Sequence, residues 1–333
     1  MTAAARRDAQ ARARGFRGPR STPLGRLRRA CQRQWLLVVI VLGAVATLGV
    51  LYQIANDRLS LPSVLFWAAT GLWVGASAAA FRELGRRTVT SLSSLGKRRD
   101  YAVLGAAPDL SQTALRELPP DHRTPLGCLA LQPASPFATA FRDLQGTLAG
   151  SQVVSFTAPA PNEGASTVAL CTAVAAVQQG QRVILLDCDE HRRSFTAALE
   201  HQPSVGLKEA CLRPDTWRTY LDEEEETGLH FIPTARQTDS RNSSITSGLP
   251  ALIEQLRGAY DLIVLDCPPA LGGAGGPAIA GMADQCVVVA AWDETPISAL
   301  HSALQSLRLA GRAGLSVYVN RVPSGHRFGR LRP

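Results

Sequence analysis

Hydrophobic and polar positions divide this chain into two parts with different patterns. Residues 35–55 and 61–81 form two apolar runs without a formal charge, and each has about the 20 residues needed to cross a bilayer. Further along, short apolar runs rich in β-branched residues alternate with helical patterns. The pattern predicts a two-helix transmembrane hairpin followed by an α/β domain. A buried helical pair in a soluble protein is the alternative for the first part.

Positive charge is concentrated beside the predicted spans. Residues 1–34 hold ten arginines and one acid, Asp8, whereas the net charge of the whole chain is +8. Arginines also follow the second apolar run. By the positive-inside bias, both termini face the cytoplasm and the protein is a two-span protein of the inner (plasma) membrane. The net positive charge of the chain lies in the tail of residues 1–34, which either contacts anionic membrane lipids or only sets the topology, so we predict no nucleic-acid partner.

The part of the chain from residue 137 to 323 is predicted to be one doubly wound, mostly parallel α/β sheet. Nearly continuous apolar strands are typical of sheets covered on both faces, and strands alternating with helices give a doubly wound fold. Residues 82–136 are interpreted as a juxtamembrane linker, residues 324–333 as a basic tail, and the acidic run 222–226 as a solvated loop. The predicted strands lie at 153–158, 182–187, 229–234, 261–266, 286–291 and 315–320.

The first predicted strand of this domain leads into a phosphate-binding type of loop. Residues 153–167 read VVSFTAPAPNEGAST, an apolar strand followed by small residues and a helix. In such loops, backbone N–H groups and the helix N-terminus bind phosphates, and a lysine before the final Ser/Thr reaches the β- and γ-phosphates. Ala165 occupies the lysine position here. The predicted nucleotide-binding residues are Pro161, Asn162, Glu163, Gly164, Ala165, Ser166 and Thr167.

Acidic residues end two further strands. Asp187 ends the second strand with Asp189 two residues beyond it, and Asp266 ends the fourth. Carboxylates at this edge beside a phosphate loop hold Mg²⁺ directly or through water, and the hydroxyl of Ser166 would bind the same ion. We therefore predict a magnesium site at Ser166, Asp187 and Asp266, with Asp187 and Asp189 as candidate catalytic residues. The alternative is that each aspartate only caps a helix or turn.

Five motifs in order resemble the cytoplasmic tyrosine autokinase domain of bacterial polysaccharide co-polymerases, which is related to the MinD and ParA ATPases. NEGAST resembles the GEGKST loop of that family, and ILLDCDEHRRS and YDLIVLDCPP resemble its two acidic strands. AFRDLQGTL, at residues 140–148, resembles the helix before the loop, and YAVLGAAPDL, at residues 101–110, the segment between membrane and kinase. The resemblance implies a P-loop fold, ATP or ADP with Mg²⁺, and a role in polysaccharide export.

The departures from that family concern its chemistry. Ala165 replaces the loop lysine, and Asn162 stands where the family has glycine. The oligomerisation motif of the preceding helix is largely lost, and no tyrosine cluster ends the chain, whose last tyrosine is Tyr318. We predict a catalytically impaired, kinase-like regulator or scaffold of exopolysaccharide or capsule assembly. Its predicted partners are a co-polymerase, a polymerase or an intact kinase, and a homo-oligomer is an open possibility.

Two other functions stay open at this point. The first is an active tyrosine autokinase or ATPase in which another cation replaces the lysine, with Arg192 or Arg193 as candidates. The second is a spatial-positioning ATPase of the MinD type, which the predicted permanent spans disfavour.

Overall fold

The structure is a computed structural model of the 333-residue chain, and it falls into two compact units, Met1–Arg87 and Thr88–Pro333. It describes residues 88–90, 101–110, 115, 117–119, 122–190, 205–235, 245–273, 275–311 and 314–323, and single positions or short stretches between 39 and 77. Much of the two predicted spans lies outside the described residues. Among those that are described, no helix has the length and apolarity that a membrane crossing requires. The transmembrane hairpin therefore stays a prediction.

The second unit contains an eight-stranded sheet in the order β1-β8-β7-β2-β6-β3-β5-β4. All neighbouring strands run parallel except β4 and β5. The doubly wound, mostly parallel sheet expected from the sequence is thus observed. The strands are β1 (Ala102–Pro108), β2 (Val153–Thr157), β3 (Val183–Asp187), β4 (Asp222–Glu224), β5 (Leu229–Ile232), β6 (Leu262–Asp266), β7 (Gln285–Ala291) and β8 (Gly314–Val322).

Helices cover both faces of the sheet. Successive side chains of a strand point to opposite faces, and accordingly Val153 lies in one buried cluster while Val154 and Phe156 lie in the other. The first cluster also contains residues of α4 to α7, and the second contains residues of α1 to α3. The helices are α1 (Pro125–Leu131), α2 (Pro136–Thr147), α3 (Ala165–Val177), α4 (Leu207–Leu212), α5 (Ile245–Arg257), α6 (Gly275–Ala280) and α7 (Ile297–Ala310), with a 3₁₀ segment at Pro214–Tyr220.

Part of the segment expected to be a linker belongs to the sheet domain. Strand β1 pairs with β8 at one edge, and helix α1 buries Cys128 and Leu129. Val89 is also buried, and its backbone bonds to the loop after β7: its N–H donates to the carbonyl of Thr295 at 3.0 Å, and its carbonyl accepts from the N–H of Asp293 at 2.9 Å. The ordered domain therefore begins before residue 137.

The acidic run 222–226 differs from the expected loop. Its first three residues form β4, which pairs antiparallel with β5 at the other edge of the sheet. Charged side chains are common on edge strands because they discourage pairing with another chain. The acidic composition is thus compatible with a strand at this position, where only one side of the strand has a partner in the sheet.

Candidate functional site: a P-loop pocket without its lysine

Residues 158–164 form the loop between β2 and α3, and two left-handed residues give it its shape. Asn162 has φ 66° and Gly164 has φ 96°. Asparagine tolerates this region better than most residues, which explains how it stands where the resembled family has glycine. At Gly164 a side chain would also collide, because a Cβ atom there would lie 2.1 Å from Nδ2 of Asn320.

Glu163 braces the loop from inside. Its Oε1 accepts a hydrogen bond from the hydroxyl of Thr295 at 2.7 Å, and its Oε2 accepts from the N–H of Ala160 at 3.1 Å. The side-chain amide of Asn320 donates to the carbonyl of Glu163 at 3.3 Å. Burial raises the pKa of the Glu163 carboxyl above its usual value, and these hydrogen bonds partly offset the rise. The loop is therefore held by residues that follow β7 and end β8.

The predicted nucleotide-binding residues line one cavity of about 200 Å³. All seven residues from Pro161 to Thr167 contribute to its wall, and Asp189, Cys267 and Pro269 form the wall near the ends of β3 and β6. The N-terminus of α3 faces this loop, and the first backbone N–H groups of a helix have no partner within it. Such a terminus favours anions. The arrangement fits a phosphate group.

The magnesium-binding candidates lie together where β3 and β6 end. Asp187 and Asp266 are neighbours in register across β3 and β6, and both are buried. The Ser166 side chain lies close enough to Asp266 to offset part of the rise in its pKa, although neither carboxylate oxygen of Asp266 forms a hydrogen bond of good geometry with the described residues. Burial, followed by the nearby Asp187 carboxylate, raises the pKa of Asp266 well above its usual value.

An unpartnered buried carboxylate is costly and calls for an explanation. Mg²⁺ prefers hard oxygen ligands and is usually held by one or two carboxylates together with substrate phosphates. Asp266, Asp187 and the hydroxyl of Ser166 provide such oxygens beside a phosphate-type loop. In the described part of the chain there is no group of three or more His, Cys, Asp or Glu side chains suited to a metal. Two carboxylates and one hydroxyl suit a metal that shares its ligands with a bound phosphate.

The structure adds residues that sequence reasoning did not select. Arg321, the penultimate residue of β8, lines the cavity, and among the described lining residues it alone carries a positive charge. Thr295 and Asn320 hold the loop through Glu163. They lie far from the loop in sequence, and only the neighbouring positions of β7, β8 and β2 bring them close. The earlier cation candidates, Arg192 and Arg193, lie outside the described residues.

The parallel sheet and the loop after β2 resemble those of P-loop domains of the MipZ and ParA type. Residues 152–289 match the protein family described as ATPase MipZ. The resemblance to bacterial tyrosine autokinase domains that was predicted from five motifs is also confirmed by individual relatives.

The relatives come from polysaccharide export and tyrosine phosphorylation. The chain is 25% identical over 327 residues to the succinoglycan biosynthesis transport protein ExoP of Rhizobium meliloti, covering 90% of this chain and 41% of ExoP. It is 28% identical over 137 residues to the tyrosine-protein kinase YwqD of Bacillus subtilis, covering 41% of this chain and 58% of YwqD. The chain thus spans less than two thirds of the length of these relatives.

Solved kinase domains have the same fold. The kinase domain of the Escherichia coli tyrosine kinase ETK superposes with a TM-score of 0.61 at 21% identity, covering 73% of this chain and 97% of that domain. The BceF tyrosine kinase domain superposes with a TM-score of 0.59 at 22% identity, covering 71% of this chain and all of that domain. At these identities the comparison establishes the mostly parallel P-loop fold.

Proposed function

We propose that this chain is a membrane-anchored P-loop protein of exopolysaccharide or capsular polysaccharide biosynthesis and export that binds ATP or ADP weakly and is impaired in phosphate transfer. The named roles of its relatives support the process. The observation that carries the proposal is Ala165 in a loop that is otherwise shaped for phosphates and stands beside Asp187 and Asp266.

The missing lysine accounts for weak binding. A charge-assisted hydrogen bond contributes about 1.5–3 kcal/mol, which corresponds to about ten- to a hundredfold in affinity. Ala165 provides neither the charge nor the donors. The first residues of α3 line the pocket, and the unpaired N–H groups at the start of a helix suit phosphate oxygens. Binding is thus reduced rather than abolished.

Phosphate transfer is expected to suffer more than binding. The transition state spreads negative charge over the oxygens of the transferred group, and fixed positive charge at that place is a main source of catalysis. In the proposed site, Ser166, Asp187 and Asp266 would hold Mg²⁺, which would neutralise part of the phosphate charge. Asp187 and Asp189 remain the candidate catalytic carboxylates. Without the lysine, these residues position a nucleotide without transferring its γ-phosphate efficiently.

Such a domain would act through contacts with other proteins. Its proposed partners are a polysaccharide co-polymerase, a polymerase or an intact kinase, whose chain-length control it would regulate from the inner (plasma) membrane. The apolar runs 35–55 and 61–81 would anchor it with both termini in the cytoplasm, and the arginines of residues 1–34 would contact anionic lipids. A homo-oligomer is compatible with this role.

Equilibrium dialysis of the full-length protein in mild detergent against labelled ATP tests nucleotide binding. We expect weak binding that falls when Mg²⁺ is chelated, and a similar fall in Ser166→Ala, because the serine hydroxyl lies beside Asp266. Thr227→Ala is the matched control, since its hydroxyl bonds to Glu224 on the far edge of the sheet. Absence of ATP binding would contradict the proposal, as would an ATP affinity that changes neither on chelation of Mg²⁺ nor in Ser166→Ala.

An active autokinase or ATPase with a replacement cation is the second candidate. The presence of Arg321 in the wall of the pocket favours it. Converting Ala165 to lysine separates the two functions. Turnover that is already present and does not change in Ala165→Lys would support the active enzyme, because another group would then perform the task of the lysine.

A further inference from the structure

Arg321 stands at the pocket in an unusual conformation. Its backbone has φ 60°, which a residue without special stabilisation rarely adopts. Its N–H donates to the side-chain oxygen of the preceding Asn320 at 2.9 Å, and the amide of Asn320 contacts Glu163. The turn at the end of β8 is therefore tied to the phosphate loop, and it places Arg321 at the wall of the cavity.

The guanidinium group of Arg321 is held by a weak partner. Its Nη1 lies 3.2 Å from Oε2 of Glu294, and the two side chains are 42% and 38% exposed. Ion pairs with this exposure contribute little to stability because water and salt screen them. Arginine also forms two parallel hydrogen bonds with a phosphate, a geometry that a single contact with a carboxylate does not use. A phosphate in the cavity would compete well for this side chain.

The position of Arg321 differs from that of the missing lysine. The lysine site, Ala165, is the first residue of α3. Arg321 lies near the end of β8, which is two strands away from β2, the strand that leads into the loop. A cation that approaches from β8 adds attraction for a bound polyphosphate. It does not restore the lysine that the loop itself would provide for transfer.

We propose that Arg321 exchanges Glu294 for the phosphates of a bound nucleoside di- or triphosphate and provides a positive charge to them from β8, at a position different from that of Ala165. The proposal rests on the proposed function and adds to it the residue that retains the ligand. It predicts that affinity for the phosphate part of the ligand, rather than for its base, depends on Arg321.

Two probes separate the phosphates from the base. Equilibrium dialysis of the full-length protein measures the affinity for labelled ADP, and inorganic pyrophosphate is then added as a competitor that has phosphates and no base. Arg321→Ala is expected to weaken both ADP binding and pyrophosphate competition by about tenfold, the size expected for one charge-assisted contact. Arg321→Lys should retain most of both, because it keeps the charge.

Glu294→Gln provides the opposite test. It leaves Arg321 in place but removes the charge that holds it, so ADP binding and pyrophosphate competition should be equal to or stronger than in the wild type. A loss as large as in Arg321→Ala would show that the ion pair acts only through the structure, and would overturn the proposal. The midpoint of thermal unfolding is recorded for each variant so that a folding defect is recognised.

The remaining outcomes are also decisive. Unchanged ADP binding in Arg321→Ala would overturn the inference and leave the proposed function standing. Weaker ADP binding with unchanged pyrophosphate competition would place Arg321 at the base or ribose, and pyrophosphate that fails to compete with ADP in the wild type would likewise exclude the phosphate contact. Absence of ADP binding in the wild type would contradict the proposed function and this inference together.

Discussion

The two sides of the pocket differ in how much of the proposed phosphate site they contain. On the side of β3 and β6, Asp187, Asp266 and Ser166 lie together and are the proposed oxygen ligands of Mg²⁺. On the side of the loop and β8, Ala165 occupies the place of the cation, and Arg321 is held by Glu294. One side thus has the proposed metal ligands, whereas the other has the shape of a phosphate-binding loop with alanine in place of the lysine.

This difference bears on whether the pocket is suited to ligand binding or to phosphate transfer. The carboxylate of Asp266 is buried without a hydrogen bond from the described residues, and such a group destabilises the fold. On the other side, Glu163 accepts two hydrogen bonds that hold a loop in which Ala165 stands at the lysine position. A strained or costly feature that persists points to a ligand. Both sides are compatible with the proposed function, in which the pocket binds a nucleotide and is impaired in phosphate transfer.

The largest expected effect comes from restoring the lost charge. Ala165→Lys should strengthen ATP binding by about ten- to a hundredfold, which corresponds to one charge-assisted contact. Ala165→Gln has comparable length without the charge and should leave the affinity near that of the wild type. Equilibrium dialysis with ATP and Mg²⁺ measures both. Equal ATP affinities in the wild type and Ala165→Lys would contradict the claim that the loop side lacks a cation needed for tight binding.

A second test measures how much the buried carboxylate of Asp266 lowers the free energy of unfolding. In magnesium-free buffer at pH 8, Asp266→Asn should raise the free energy of unfolding by about 1–3 kcal/mol, because burial and the neighbouring Asp187 carboxylate disfavour the charged form of Asp266 and the amide cannot ionise. The same variant should lose the stabilisation that the wild type gains from ATP with Mg²⁺. Denaturant titrations measure both quantities.

Asp284→Asn is the matched control for this test, because its carboxylate has partners. Asp284 accepts hydrogen bonds from Arg257 at 2.8 Å and from the N–H of Val153 at 2.8 Å, and the Arg257 contact contributes most to its lowered pKa. Replacing it should destabilise the protein by about 1 kcal/mol. Destabilisation of similar size by Asp266→Asn would mean that Asp266 has partners after all.

The smallest expected effect is a pH dependence on the loop side. Burial raises the pKa of Glu163, so its contribution to stability is complete below the unfolded-state value near 4.5 and is lost as the pH rises through the folded-state value. Glu163→Gln should flatten this decline in a series of unfolding measurements from pH 4.5 to pH 8. A decline of equal slope in both proteins would place the titrating group elsewhere.

Local patterns were sufficient to predict the sheet and the residues of the loop. The six predicted strands at 153–158, 182–187, 229–234, 261–266, 286–291 and 315–320 overlap β2, β3, β5, β6, β7 and β8. These strands are buried on both faces and read as nearly continuous apolar runs. The loop and its acidic neighbours were recognisable because phosphate and metal binding require particular residue types at fixed positions.

The edge strands, and the residues of β8 and the loop after β7 that lie against the phosphate loop, could not be predicted in this way. Strand β1 contains Gly105 and ends in Pro108, which resemble linker residues, and β4 is acidic because it has a partner on one side only. Arg321 and Thr295 carry no local motif. Their proximity to Glu163 arises from strand order, which a single sequence does not reveal.

Release of γ-phosphate from saturating ATP and Mg²⁺ by the full-length wild-type protein tests the central claim most directly. Ala165 should leave the bound nucleotide intact, with no more phosphate released than in a protein-free blank and no phosphotyrosine formed. Turnover at about 1–100 s⁻¹, the range typical of kinases, would contradict the claim that this pocket binds without transferring.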